Sequence, residues 1–276
     1  RLSDHDIIKD FSPSLLKLRS GDFGHLAKVI SSIEQGRTPC SLMQNMEKAA
    51  TKRSSVPVLG ITGTGGAGKS SITDELVRRF RLFSNEPKIA VIAIDPIRKK
   101  TGGALLGDRI RMNAIAVPNI YMRSVANRNS LSEIPQEIRH VISACKIADF
   151  DLIILETPGI GQGNAAITEY ADISLYVMTP EFGATSQLEK IDMLDFADVI
   201  CINKLDRKGG LDALRDVQKQ VQRNRQEFSK SAENMPVFGA IASRFSDDGL
   251  NALYQELIKQ FEKKKFFKIH TSLPPV

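Results

Sequence analysis

The stretch "GITGTGGAGKSSITDEL", residues 60–76, decides the fold. Five of its first nine residues are glycine, and a lysine and two serines then open an amphipathic helix. Gly63, Gly68, Lys69 and Ser70 satisfy G-x-x-x-x-G-K-[ST], the pattern of a phosphate loop. Successive backbone N–H groups must point at phosphate oxygens there, and side chains at the glycine positions would obstruct the approach. The N-terminus of the following helix adds partial positive charge. Gly65, Gly66, Ala67, Gly68, Lys69, Ser70 and Ser71 are therefore expected to cradle the phosphates. Lys69 would bridge the β- and γ-phosphates, and the Ser70 hydroxyl would ligate Mg²⁺.

The surroundings suit such a loop. Short, largely apolar runs occur at residues 56–63, 88–95, 151–157, 173–179, 199–204 and 236–242. They lack strict alternation, as expected for strands buried on both faces. Helical patterns fall between them at 69–83, 132–148, 186–197, 210–230 and 249–264. Strands alternating with helices predict an α/β phosphate-loop NTPase fold, a mostly parallel sheet covered by helices on both faces. Residues 1–55 read as a separate N-terminal helical extension, 56–267 as the nucleotide-binding domain and 268–276 as an extended linker. In the extension Phe23, Leu26, Ile30 and Ile33 recur at helical steps and Gly36 is placed to end the helix.

The base is read further along. "NKLD", Asn203 to Asp206, follows the apolar run "VICI". A carboxylate at Asp206 would accept both the ring imino N–H and the 2-amino group of guanine. Adenine offers neither donor in that arrangement, so the unpaired carboxylate would oppose ATP. Asn203, Lys204 and Asp206 are thus expected at the base, and Ala242 or Ser243 in "GAIASRF" as a backbone donor to the guanine carbonyl.

Small GTPases commonly carry an Asp in D-x-x-G after their third strand. Here "DLIIL" runs into "ETPG", with Glu156 at that position and Gly159 at the pivot. Mg²⁺ takes hard oxygens, usually one or two carboxylates with phosphate and water. The metal set expected is Ser70, Asp95, Asp108 and Glu156, with the main chain at Ile94 and Thr157. Arg111 falls three residues after Asp108, on the same side of a helical turn, and suits a phosphate contact. Lys69, Glu156 and Gln162, the last in "GIGQG", are the catalytic candidates, with Arg98 a weaker guess at an arginine finger.

Composition excludes several classes. A net charge of +6 invites a nucleic-acid partner, but the basic residues are dispersed and no aromatic residues interleave with the cluster at 98–100. No apolar stretch is long enough to span a membrane, and "RLSDHDIIKD" at the N-terminus lacks the apolar core of a signal peptide. Without an initiator Met the chain is expected to be part of something longer. The three cysteines, Cys40, Cys145 and Cys201, show no pairing pattern, as for reduced thiols in the cytoplasm.

"GTGGAGKSS", "AIDP", "TGGALLGDRIRM", "ETPGIGQ" and "NKLD", in this order, resemble the metallochaperone-type GTPases that serve B12-dependent acyl-CoA mutases. The likeness covers roughly residues 20–265. "TGGALLGDRIRMNAI" and "IYMRSVANR" resemble the branch whose GTPase domain is fused to isobutyryl-CoA mutase. The resemblance implies Mg²⁺ around Ser70, Asp95, Asp108 and Glu156, GTP/GDP as ligand, phosphate contact by Arg111, and a mobile segment "EFGATSQLEK" in which Gln187 and Lys190 respond to nucleotide. It implies an acyl-CoA mutase partner, fused or separate, whose adenosylcobalamin is held by other domains. This chain has no D-x-H-x-x-G cobalamin signature, and it leaves a homodimer open. Two other functions compete. Nickel or other metal delivery would need close Cys and His ligands, and His5, His25, His140 and His270 lie far apart. An ATP-using kinase or ATPase would have no use for N-K-x-D.

Overall fold

The computed structural model describes residues 13–96, 112–127, 134–159, 165–182, 188–189, 191–266 and 271–274. Three helices come first: α1 (Leu15–Arg19), α2 (Phe23–Glu34) and α3 (Cys40–Thr51). There follow β1 (Val58–Gly63), α4 (Lys69–Phe83), β2 (Ile89–Pro96), β3 (Ile120–Asn127), α5 (Ile138–Ile147), β4 (Leu152–Glu156) and β5 (Ile173–Met178). The chain then forms α6 (Met193–Phe196), β6 (Val199–Asn203), α7 (Gly210–Asn224), β7 (Val237–Ala240) and α8 (Asp248–Lys263). All strands pair in parallel, in the order β3-β2-β4-β1-β5-β6-β7.

The apolar runs divide between the two faces residue by residue. Ala90, Ile92 and Ile94 of β2 join one cluster, and Ile89, Val91 and Ala93 join the other. β4 and β6 do the same, with Ile153, Leu155, Ile200 and Ile202 on one side and Leu152, Ile154, Val199 and Cys201 on the other. Side chains alternate along a strand, so a strand covered twice must be apolar at every step. Helices α4 and α8 cover one face through Ile72, Leu76, Phe80, Leu253, Leu257 and Phe261. On the other face α2 and α3 pack with α5 and α7, through Leu26, Ile30, Met46, Val141 and Val217. The N-terminal helices thus share an apolar cluster with the sheet.

Three sequence expectations change. The six apolar runs become seven strands among the described residues, the added one being the edge strand β3. Its composition is mixed: Arg123 and Ser124 are half-buried between Met122 and Val125. Glu34 covers that edge. Its carboxylate accepts from Ala126 N at 3.1 Å and from Arg123 at 2.7 Å, blunting an open row of strand donors. The helix expected over 210–230 stops at Asn224, where Arg225 turns to donate to Ala197 O at 2.6 Å and Gln226 takes a left-handed φ of 55°. The helix expected over 186–197 is described only as the four residues of α6. At the other end of the chain, Ser272 N donates to Phe83 O at 2.7 Å, so residues 271–274 lie against the end of α4.

Candidate nucleotide site

Parallel pairing gathers the site at one sheet edge. β1 sits between β4 and β5, and its C-terminal end delivers the glycine-rich loop. Glu156, the last residue of β4, pairs in register with Ile61 of β1 and Ala93 of β2. Asp95, two residues beyond Ala93, is the penultimate residue of β2, and Asn203 ends β6. Ligands of open α/β sheets bind at such carboxyl ends, where neighbouring strands diverge in connection.

A cavity of about 600 Å³ opens there. The expected residues Gly65, Gly66, Gly68, Lys69, Ser70, Ser71, Ile94, Asp95, Glu156, Thr157 and Ala242 line it. Two glycines are demanded by close approach. Gly68 has φ of 85°, and a Cβ there would lie 2.5 Å from Asn203 Nδ2. A Cβ on Gly159 would lie 2.8 Å from the backbone Cα of Gly65. The first intrahelical bond of α4 runs from Ile72 N to Gly68 O at 3.0 Å, so the N–H groups of Lys69, Ser70 and Ser71 precede the ladder and face the cavity end of the helix.

Lys69 is buried, and its ammonium donates to Gly63 O and Thr64 O, both at 3.1 Å. Beside it, Thr64 Oγ1 is buried without a hydrogen-bond partner. Ser70 Oγ donates to Glu156 Oε1 at 2.7 Å, and Thr73 Oγ1 donates to Glu156 Oε2 at 2.9 Å. The Thr157 hydroxyl donates to Thr62 Oγ1 at 2.8 Å, so it is engaged with β1 rather than free for a cation. The donors available are hydroxyl, carboxylate and carbonyl oxygens. That set fits a hard divalent cation and not a soft one. Among the described residues no group of three or more His, Cys, Asp or Glu side chains forms a metal cage. Mg²⁺ needs none, since it keeps water and phosphate ligands.

The base-side loops are tied to the phosphate loop by one side chain. Asn203 Nδ2 donates to Ala67 O at 2.8 Å, and Asn203 Oδ1 accepts from Ala242 N at 3.0 Å. Lys204 adopts a left-handed φ of 60°, and its ammonium reaches Gly66 O at 2.7 Å. Asp206 and Ser243 are exposed and do not line the cavity itself. Arg79, only 3% exposed, braces the second loop from α4: it donates to Glu75 at 2.5 Å, Asn251 at 2.9 Å and Asp247 O at 3.3 Å. Asp247 in turn caps α8 and accepts from Ile241 N at 3.2 Å.

Sequence reasoning passed over Thr73, Asp74, Glu75, Met112 and Asn113. Thr73 sits one turn after Ser70 on the same helix face, a spacing that was readable, though its partner Glu156 lies on another strand. Asp74 accepts from Ala114 N at 2.8 Å and so pins the segment entering β3. Arg98, Asp108, Arg111, Gln162, Gln187 and Lys190 lie outside the described residues. Burial pushes the Cys145 thiol up to about 12 and raises Cys201 further, the latter also by the nearby Asp247 charge. Neither is poised as a thiolate ligand.

Solved structures with this architecture include an LAO/AO transport system kinase, with a TM-score of 0.62 and 22% identity over 90% of this chain and 74% of that one. The hydrogenase maturation factor HypB of Archaeoglobus fulgidus gives 0.57 and 16% over 80% of this chain and 97% of its own. At such identities they speak to the fold alone. Sequence relatives are nearer. A fused isobutyryl-CoA mutase of Cupriavidus metallidurans is 60% identical over 92% of this chain, and one of Geobacillus kaustophilus is 52% identical over 99%. The chain spans only 23% and 26% of their respective lengths. Residues 26–267 match the family described as methylmalonyl-CoA mutase-associated GTPase MeaB. With G-x-x-x-x-G-K-S and N-K-x-D in its sequence and that match over most of its length, the chain belongs to the MeaB family of GTPases.

Proposed function

We propose that this chain binds GTP with Mg²⁺ and uses hydrolysis to gate loading, protection or repair of adenosylcobalamin in an acyl-CoA mutase, in the cytoplasm. The observation that carries the reading is the 60% identity with a fused isobutyryl-CoA mutase, of whose length the match is 23%. A GTPase embedded in so long a chain has a mutase as its covalent neighbour there, and a mutase, fused or separate, is the partner proposed here.

The residues divide the work. The loop from Gly65 to Ser71 and the helix N-terminus hold the phosphates. Lys69 exchanges its bonds to Gly63 O and Thr64 O for phosphate oxygens, a move of one flexible stem. Ser70, Asp95 and Glu156, with the main chain at Ile94 and Thr157 and with Asp108, would hold Mg²⁺. Bound there, the cation would neutralise charge on the β- and γ-phosphate oxygens. Arg111 contacts phosphate, and Gln162 orients water. Water adds to the γ-phosphorus, the bond to the bridging oxygen breaks, and GDP leaves. Asn203, Lys204, Asp206 and Ser243 surround guanine. The nickel-delivery reading is weaker, since Cys201 is buried inside β6 with its thiol held protonated.

The test is cobalamin loading into the mutase with GTP, GDP and a non-hydrolysable analogue. Loading and repair should differ among the three. Indifference to all of them would leave a GTPase with another purpose.

A further inference from the structure

We infer that Thr73 is a positioning residue for the cation site, fixing the plane of the Glu156 carboxylate through its second oxygen. This rests on the proposed role of Glu156 beside Mg²⁺ and assigns how that side chain is held. Glu156 is 6% exposed, at the cavity wall, and Thr73 is fully buried behind it. A buried carboxylate needs donors on both oxygens. Ser70 supplies one at 2.7 Å and Thr73 the other at 2.9 Å. The two hydroxyls lie three residues apart on α4, on one helix face, and grip the carboxylate from a single rigid element.

The length of Glu156 gives the second grip something to do. A glutamate has one more rotatable bond than the aspartate common at this position in small GTPases, and a second hydroxyl on its other oxygen restricts that added freedom. Threonine in a helix ordinarily bonds back to a carbonyl of the preceding turn. Here its hydroxyl reaches across to β4 instead. With Oε2 anchored, Oε1 stays on Ser70, the hydroxyl at the cavity wall. Thr73 itself does not line the cavity, so it acts only through Glu156.

The experiment measures release of a fluorescent GDP analogue from the full chain as Mg²⁺ is titrated, beside thermal melting. Wild type should release nucleotide more slowly as Mg²⁺ rises. Thr73→Val, which keeps shape and loses the hydroxyl, should raise the Mg²⁺ midpoint about 10-fold. Thr73→Ser should return it to within about threefold of wild type. In Glu156→Asp, whose shorter side chain cannot span both hydroxyls, adding Thr73→Val should change the midpoint little further. Should Thr73→Val fail to fold, Thr73→Ala provides the same comparison. A midpoint for the folded variant within twofold of wild type overturns the inference, as does a Thr73→Ser variant as defective as Thr73→Val. If wild type itself shows no Mg²⁺ dependence, the failure lies in the proposed cation site and takes this inference with it.

Discussion

Lys69 has two lives in this site. Its ammonium donates to two loop carbonyls, and in the proposed site it is the counter-charge of the nucleotide phosphates. Lys69→Ala should therefore weaken GTP binding by about 3 kcal/mol, roughly 100-fold, because bonds from a charged donor are lost. The fold should survive, since the loop is also held by Asn203 and Lys204. Binding titration with circular dichroism checks both halves, and turnover retained in a folded variant would remove Lys69 from the reaction. Asp206 offers a cleaner chemical test. Its exposed carboxylate is the group proposed to accept two guanine donors, and Asp206→Asn exchanges an acceptor for a donor. Xanthine, with an oxygen where guanine has an amine, should then gain on guanine by about 2 kcal/mol. Competition among GTP, XTP and ATP measures it, and unchanged preference would mean that another loop reads the base.

At the scale of elements, the site is a meeting of strand ends, and Asn203 is the residue on which two loops depend. It bonds Ala67 O in one and Ala242 N in the other while only 2% exposed. Asn203→Ala leaves both groups without their partner, a cost of about 2 kcal/mol and a fall in Tm of roughly 5 °C. Nucleotide affinity should fall with it, though Asp206 is untouched; a variant with normal affinity would show that the loops are independently set. How much of this could be read in advance follows from the same geometry. The phosphate loop, Glu156 and N-K-x-D were legible because glycine and carboxylate requirements are local to a few residues. The buried strands were legible because cover on both faces forces apolar runs. β3 was not, because Arg123, Ser124 and Asn127 interrupt its apolar run, and Arg123 reports on Glu34 in a helix 89 residues away. Thr73 was likewise invisible as a site residue: its meaning comes from Glu156, 83 positions along the chain.

For the whole molecule, burial sorts the thiols. Cys40 is exposed at the start of α3, whereas Cys145 and Cys201 are enclosed on opposite faces of the sheet. Burial raises both enclosed thiols, so between pH 7 and 9 they stay protonated as well as inaccessible. A thiol reagent should label one site per native chain across that range and all three after denaturation. Labelling of a second site under native conditions would mean that one face opens.

On the proposed function, hydrolysis must be coupled to the cobalamin of a mutase domain outside the matched 23% of the fused relative. The expected carriers, the segment around Asp95 to Arg111, "ETPGIGQ" and "EFGATSQLEK", all follow strands at the nucleotide edge of the sheet. Asp95 and Glu156 root two of them at the cavity, and Asp74 holds the return of the first at Ala114. A partner that distinguishes GTP from GDP must, by linkage, alter nucleotide affinity in return. Residues that only transmit should then be separable from residues that bind. Gln187 and Lys190, in the third segment, are the proposed transmitters. In the complete mutase, Gln187→Ala or Lys190→Ala should leave GTP affinity within a few-fold of wild type, under about 1 kcal/mol. Cobalamin loading, which in wild type should depend on the nucleotide present, should become insensitive to it. Loading that still tracks GTP against GDP in both variants would move the coupling to one of the other two segments.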